Sequence, residues 1–403
     1  MLQPLTALFI TILVGYFLGE LCKIIRVPRV VGYLITGFIL GMPTIKSFLF
    51  TKESLDLIDL LANLGIILLF FFIGLEVNIK EFKINLKESS LVSIFNTLIP
   101  LGLGFLVSHF IFNLGTIPSI VIGLCLAVSS QLISLDILDE YKILKTRVGQ
   151  LIITSGAVDD IFELILISFI LSIINFAGNY ESVFQVISNI SVFIVALILL
   201  RLVVFPYIFK LFEGRTTTSL FSAALIVAFL TAILSDLLGL GIFVGALFAG
   251  VVIRHMLLQG KHRKPWEEHS ITHSIHLVAF GLLVPLFFIS AGINTDLSLI
   301  FDNLNLSLAF ILIALLGTVL GSAIGVVLSK DSWREGLIVG FGVSPKGDTE
   351  LVLATLAVTS GLFSQVIFSS IIFMAMITTF ISPIVFRILI KKYRSTLDLK
   401  RLK

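Results

Sequence analysis

Charged residues are scarce in this chain of 403 amino acids, because Asp, Glu, Lys and Arg together make up only 13% of it. Soluble domains carry charge on roughly a quarter of their residues. With 57% hydrophobic residues and a mean hydropathy of +1.11, the chain cannot cover the surface of a water-soluble globule. We therefore expect the lipid bilayer, and no nucleic acid, as its macromolecular environment.

Cysteine is also rare. Cys22 and Cys125 both lie in or beside apolar segments and have no CxxC spacing. This excludes a disulfide framework and a cysteine-based metal site. We predict no cofactor and no resident metal.

Apolar segments long enough to cross about 30 Å of hydrocarbon are, by contrast, abundant. The predicted fold is an all-α polytopic membrane protein with about thirteen transmembrane helices, which we call spans one to thirteen. The predicted spans are 4–22, 29–46, 55–77, 89–112, 116–135, 149–174, 183–209, 218–236, 240–258, 276–293, 305–328, 335–358 and 363–390.

Lysine and arginine are distributed unevenly between the predicted loops. Of 28 such residues, 23 lie in the loops after odd-numbered spans and in the C-terminal tail, and two, Lys46 and Lys52, lie in the opposite loops. Cytoplasmic loops are enriched in these cations. We therefore predict a cell (inner) membrane protein with its N-terminus outside and its C-terminus in the cytoplasm.

The sequence also resembles itself across seven spans. Span three ends Phe-Phe-Ile-Gly-Leu-Glu-Val-Asn at 71–78, and span ten ends Phe-Phe-Ile-Ser-Ala-Gly-Ile-Asn at 287–294. An odd offset makes the two segments antiparallel, which is typical of transporters built from inverted repeats. The predicted divisions are a first six-helix repeat (1–177), a linker helix (178–216), an inverted second repeat (217–392) and a basic cytoplasmic tail (393–403).

Two spans contain groups of charged residues. Burial of a charge inside a membrane is energetically costly, so these residues are expected to have a functional or structural role. Span six contains Asp159, Asp160 and Glu163, and span twelve contains Lys346, Asp348 and Glu350. At about 1.5 Å per residue, Asp160 and Lys346 each lie about 16 Å from the cytoplasmic ends of their spans, near the bilayer midplane.

Spans five and twelve are predicted to be interrupted helices. Residues 340–347 contain three glycines and a proline, which disrupt a regular helix. Span five carries Ser129, Ser130 and Gln131 at a similar depth. Interrupted spans in matching positions of two repeats indicate a transport site, and free carbonyls with hydroxyls and a carboxylate suit a cation such as Na⁺.

The adjacent carboxylates of Asp159 and Asp160 should not both ionise easily in a weakly polar site. A carboxylate that binds either a proton or a cation, and not both, is the simplest group that can couple the exchange of the two. Glu163 shares a helix face with the pair. The competing interpretation is a buried structural ion-pair network. Three acids in one apolar helix are a costly way to join helices, which favours the functional interpretation.

Four segments, taken in their order and spacing, resemble one known family. They are the glycine-spaced segment after Pro28, the end of span three, the loop 144–150 and Ala157-Val158-Asp159-Asp160-Ile161. They resemble the second branch of the monovalent cation/proton antiporters, which contains sodium/proton antiporters and potassium efflux transporters. The resemblance implies a core of spans four to six and eleven to thirteen, a scaffold that forms a homodimer, and elevator-type alternating access.

The resemblance also implies that Asp160 carries cation and proton, that Asp159 is its partner, and that Ser129, Ser130 and Gln131 line the crossing. Three positions depart from the family pattern. The lysine of span eleven in electrogenic members corresponds to Thr318, so the charge stoichiometry stays open. The glycine after the aspartate pair is Glu163, and the Pro-Arg-Gly-Glu motif is 345–348, Pro-Lys-Gly-Asp. We expect Lys346 to act as the counter-charge to the acids.

We therefore predict a transporter rather than an enzyme, which exchanges Na⁺, or else K⁺ or Li⁺, for protons. The alternatives are a K⁺/H⁺ antiporter or K⁺ efflux pathway, a passive channel, and an intramembrane aspartyl protease that uses Asp160 and Asp348. A channel needs no titrating pair, and a protease leaves the inverted repeat unexplained. The histidines between His255 and His276 are candidate pH sensors, against the plainer interpretation of a solvated loop.

Overall fold

The computed structural model describes residues 3–76, 86–129, 132–144, 146–156, 158–159, 183–211, 217–259, 265–347 and 349–398. Within these ranges the chain is built from helices, eight of which are long and apolar enough to cross a membrane, or nine if one bent pair counts as a single span. This confirms the all-α membrane fold. The total of thirteen spans and the inverted repeat stay predictions.

The helices are numbered in chain order. The first eight are α1 (Pro4–Ile24), α2 (Arg29–Gly41), α3 (Pro43–Leu49), α4 (Lys52–Glu76), α5 (Leu86–Leu106), α6 (Thr116–Ala127), α7 (Leu132–Glu140) and α8 (147–156 and 158–159). The next six are α9 (Val183–Leu199), α10 (Phe205–Leu211), α11 (Thr217–Leu237), α12 (Ile242–Gln259), α13 (Pro265–Val278) and α14 (Val284–Ile293). The last six are α15 (Leu297–Asp302), α16 (Leu304–Leu312), α17 (Thr318–Leu328), α18 (Trp333–Val343), α19 (Thr349–Thr359) and α20 (Gln365–Asp398).

Short π-helical segments continue α5, α9, α13 and α16, over Val107–Ile111, Leu200–Val204, Ala279–Leu283 and Ile313–Gly317. Span four is thus α5 with its π-helical end, span six is α8 where it is described, and span eleven is α16 and α17 joined by a π-helical turn. Span thirteen is α20.

Both predicted breaks are present. Span five consists of α6, which ends at Ala127, and α7, which begins at Leu132. Span twelve consists of α18, which ends at Val343, and α19, which begins at Thr349. The glycine and proline content of 340–347 therefore predicted the second break correctly.

The predicted span 29–46 contains a bend, because α2 ends at Gly41 and α3 turns away from it by 83°. Pro43 explains the turn. It has no backbone N–H to continue the α2 hydrogen bonds, and its fixed φ suits the first position of a new helix.

The described helices cluster into two compact units. The first contains α1–α3, α5–α8 and α15–α20, and the second contains α4 and α9–α13; α14 begins in the second and ends in the first. Helices α1–α3 therefore group with the broken helices, whereas the family resemblance assigned them to the scaffold. The repeat boundaries are not tested by this division, because repeats are related by symmetry and not by contact.

A stripe of glycines on α17 determines how closely this helix packs on α5. Gly317, Gly321 and Gly325 are spaced four apart on one face. A Cβ at Gly321 would lie 2.3 Å from the carbonyl oxygen of Phe95, and one at Gly325 would lie 2.6 Å from the Cα of Val92. The two backbones are thus in direct contact, which is the usual use of small residues at membrane helix interfaces.

The second unit uses the same principle between α4 and α12. A Cβ at Gly74 would lie 2.1 Å from the carbonyl oxygen of Leu247, and one at Gly250 would lie 2.2 Å from that of Phe71. Close backbone contact replaces the hydrophobic driving force that lipid cannot supply between helices.

Candidate functional site

The centre of the site in the first unit is Asp159 on α8, whose side chain is fully buried. Its carboxylate accepts hydrogen bonds from three side chains of α5: Ser93 Oγ at 2.6 Å, Asn96 Nδ2 at 2.8 Å and Thr97 Oγ1 at 3.3 Å. Positions three and four apart share a helix face. One face of α5 therefore supplies a matched set of donors to a single buried carboxylate.

The network continues from Asn96 to α17. The hydroxyl of Ser322 donates to Asn96 Oδ1 at 3.3 Å, so the amide donates on one side and accepts on the other. Closer to the start of α8, the hydroxyls of Ser89 and Thr154 also form a hydrogen bond. Helices α5, α8 and α17 are thus joined by buried polar contacts.

Thr318, at the position of the family lysine, lies one turn from Ser322 on α17 and is fully buried. Its hydroxyl has no hydrogen-bond partner within the described part of the chain. The polar contact that α17 makes with this network therefore comes from Ser322 and reaches Asp159 through Asn96.

Lys346 lies in the break between α18 and α19 and is fully buried. Its ammonium group donates to the carbonyl oxygens of Val128 at 2.6 Å and Ala127 at 3.3 Å. These carbonyls belong to the C-terminal end of α6, where they have no partner inside the helix and carry partial negative charge. Lys346 therefore caps one broken helix from within the other.

This contact changes one expectation drawn from the sequence. The carbonyls at the break of span five were expected to be free ligands for a cation, but two of them accept hydrogen bonds from Lys346. The predicted role of Lys346 as counter-charge to the acids stays a prediction.

Other residues of the crossing are buried as well. Ser129 directly follows the end of α6, and Glu350 lies in the first turn of α19. A carboxylate is favoured at a helix N-terminus because the unpaired N–H groups carry partial positive charge. The hydroxyl of Ser382 on α20 donates to Ser344 Oγ at 3.3 Å, which ties the break to α20.

Five of the predicted site residues lie outside the described part of the chain. They are Ser130, Gln131, Asp160, Glu163 and Asp348. Their proposed roles stay predictions.

Sequence reasoning missed Ser93, Asn96, Thr97 and Ser322. A signal for three of them was present: together with Ser89 they form a polar stripe at spacings of four, three and one on an otherwise apolar span. Single small polar residues are common in spans, so only their shared face distinguishes them.

The histidine segment lies in the second unit. His276 packs on Phe72 and stacks on Phe280, with ring centroids 5.4 Å and 4.8 Å away. His262 and the side chain of His269 lie outside the described residues. A role in pH sensing stays a prediction.

The model of the family described as "Sodium/hydrogen exchanger, transmembrane" matches residues 8–392. The chain belongs to the sodium/hydrogen exchanger family. This confirms the resemblance drawn from the sequence. It also identifies a multi-pass membrane protein in a family of transporters and not of enzymes.

Two relatives in this family cover nearly the whole chain. The Na(+)/H(+)-K(+) antiporter GerN of Bacillus cereus is 30% identical over 91% of this chain and 90% of its own length. The Na(+)/H(+) antiporter of Enterococcus hirae is 25% identical over 93% of this chain and 98% of its own.

The fold is also that of a solved exchanger structure. The sodium proton antiporter MjNhaP1 from Methanocaldococcus jannaschii at pH 8 superposes with a TM-score of 0.69, covering 99% of this chain and 98% of that one at 16% identity. At this identity the match shows the shared fold.

Proposed function

We propose that this protein exchanges a monovalent cation, with Na⁺ as the favoured one, for protons across the cell membrane. The observation that carries the proposal is the buried carboxylate of Asp159, held by three donors of α5, next in sequence to Asp160. An ionisable group at this depth is costly and is retained for function. Asp160 is the proposed carrier of cation and proton, and Asp159 is its fixed partner.

The broken helices support a site at their crossing. Lys346 neutralises the partial negative charge at the end of α6, and Glu350 lies at the start of α19, where a negative charge is favoured. Both half-helix ends therefore carry a compensating charge, and a single cation can enter and leave without a large excess charge. Ser129, Ser130 and Gln131 are proposed to line this crossing.

Three further features belong to the proposal. The uneven distribution of cations supports an N-terminus outside and a C-terminus in the cytoplasm. The core of spans four to six and eleven to thirteen, whose described helices lie in the compact unit with both broken helices, is the proposed moving part of an elevator-type mechanism. The protein is proposed to work as a homodimer, as the family resemblance implies.

K⁺/H⁺ exchange is the second candidate function, because the name of the relative GerN includes both cations. An aspartyl protease loses its support, since the chain belongs to a transporter family. A passive channel would move cations without coupled protons, so the same experiment tests it.

The test uses the purified protein in liposomes that contain a pH-sensitive dye. Addition of Na⁺, K⁺ or Li⁺ in turn should move protons in the opposite direction, and Asp160→Asn should abolish this flux. Asp139→Asn, which changes an exposed carboxyl on α7, is the matched control and should keep it. Absence of proton flux with every cation would refute the proposal.

A further inference from the structure

Arg147 forms a compact ion cluster at the start of α8. Its Nε and Nη2 donate to Asp331 Oδ2 at 3.1 Å and 3.0 Å, and Nη2 lies 3.2 Å from Glu88 Oε1. Only 22% of the Arg147 side chain and 10% of that of Asp331 is exposed. The hydrogen bond to Asp331, with a smaller contribution from Glu88, raises the pKa of Arg147.

Arg147 lies where its own helix end disfavours it. The backbone N–H of Gly149 donates to Thr146 Oγ1, which makes Thr146 the N-cap of α8 and places Arg147 at its positive end. Asp331 lies between the end of α17 and Ser332, the N-cap of α18, where the positive end of α18 favours a carboxylate. The carboxylate of Asp331 offsets the unfavourable position of Arg147 while the start of α8 stays beside the loop between α17 and α18.

The cluster joins the same three helices that meet around Asp159. Glu88, Arg147 and Asp331 connect the ends of α5, α8 and α17. Twelve residues further along α8, about 18 Å away, Asp159 and Asn96 connect α8 to α5 and α17 a second time. Between these two points the hydroxyls of Ser89 and Thr154 join α5 to α8, while the ion pair of Arg147 with Asp331 joins the start of α8 directly to the end of α17.

We propose that Arg147 is a positioning residue for the ion site, which acts through the register of α8. This inference rests on the proposed exchange function. Without the cluster, the start of α8 is no longer held beside the end of α17, and the Ser89–Thr154 hydrogen bond ties this part of α8 to α5 alone. The hydrogen bonds of Asp159 to α5, at 2.6–3.3 Å, then lose their geometry, which weakens cation binding at the proposed site.

The test measures the cation KM and the maximal rate of proton flux in liposomes for Arg147→Gln, Asp331→Asn and the double variant. We expect each single variant to raise the cation KM about tenfold, since misplacement of a site by about 1 Å costs up to about 100-fold. The double variant should be no worse than Arg147→Gln, because Arg147→Gln already removes the contact with Asp331. Arg147→Lys should restore the KM only in part, because an ammonium lacks the fork of donors.

Glu140→Gln is the matched control. Glu140 forms a separate ion cluster with Arg26 and Arg387 at 3.7 Å and 3.4 Å, and joins α7 to α20 instead. It should leave the cation KM unchanged. If Arg147→Gln fails to accumulate in the membrane, the near-isosteric Asp331→Asn and Glu88→Gln answer the same question.

An unchanged KM in folded Asp331→Asn, or an equal rise in Glu140→Gln, would overturn the inference. These outcomes are separate from failure of the proposed function, which would appear as absence of cation-driven proton flux in the unmodified protein.

Discussion

Asn96 links the two sides of the Asp159 network, because its amide donates to the carboxylate and accepts from Ser322. Asn96→Ala removes both contacts and leaves a buried carboxylate oxygen without this donor. We expect a loss of about 1–3 kcal/mol in the free energy of unfolding, measured by thermal unfolding in detergent. Asn305→Ala, at an exposed asparagine, is the control. Equal stability of the two variants would show that Asn96 contributes nothing to the network.

Lys346 combines a charge with a structural contact, and its removal should affect both. Lys346→Ala leaves the carbonyls of Ala127 and Val128 buried without this donor. We expect a destabilisation of about 1–3 kcal/mol together with loss of exchange in the liposome assay. Lys346→Arg keeps the charge and should retain part of both properties. A Lys346→Ala protein with normal transport and stability would show that capping of α6 by Lys346 contributes to neither property.

At the residue level, charged residues inside the spans could be singled out from the sequence, whereas the groups that form hydrogen bonds with them could not. Asp159 and Lys346 were identified because ionisable groups in apolar spans need a reason. The carbonyls that Lys346 binds could not be predicted, since every residue has one and only the fold selects which are exposed at a helix end. Ser93 and Thr97 were missed because a small hydroxyl in a span has little cost and therefore little signal.

At the level of helices, the packing of α5 on α17 depends on Gly321. Gly321→Ala would place a Cβ 2.3 Å from the carbonyl oxygen of Phe95, so the two backbones must separate. We expect a destabilisation of at least about 1–3 kcal/mol and a raised cation KM, since Asn96 directly follows Phe95.

The control lies on the same pair of helices. A Cβ at Gly102 on α5 meets nothing within 4 Å, so Gly102→Ala should be neutral or stabilise the helix by up to about 1 kcal/mol. Both variants are compared by thermal unfolding. If Gly321→Ala is as stable as Gly102→Ala, the close contact of α5 and α17 is not required.

The helix breaks illustrate what local sequence can and cannot predict. Glycine and proline interrupt a helix through their own backbone chemistry, so the break after Val343 could be predicted without tertiary information. The bend after Gly41 had the same kind of signal in Pro43, but the span 29–46 was predicted from its length and apolar content, which carry no information on bending. The grouping of α1–α3 with the broken helices depends on long-range packing, which no local pattern encodes.

At the scale of the whole molecule, the orientation in the membrane is open to a direct test. Lys52 begins α4 and Lys391 lies near the end of α20, and both are exposed. A membrane-impermeant maleimide applied to intact cells should label Lys52→Cys and not Lys391→Cys, because the charge distribution places them on opposite sides. Cys22 and Cys125 are buried and should contribute little background.

Permeabilised cells provide the control, since both introduced cysteines should then react. Labelling of Lys391→Cys in intact cells would reverse the proposed orientation. The side of the membrane from which the cation enters and the side from which the proton enters would then also be exchanged.

The glycine stripe of α17 has a consequence for permeation. Where Gly321 and Gly325 bring two backbones into contact, no space is left for a file of water molecules. A hydrated ion therefore cannot approach Asp159 between α5 and α17, and water is excluded from this side of the carboxylate. The route by which a cation exchanges its hydration shell for protein oxygens must lie on another side of α8.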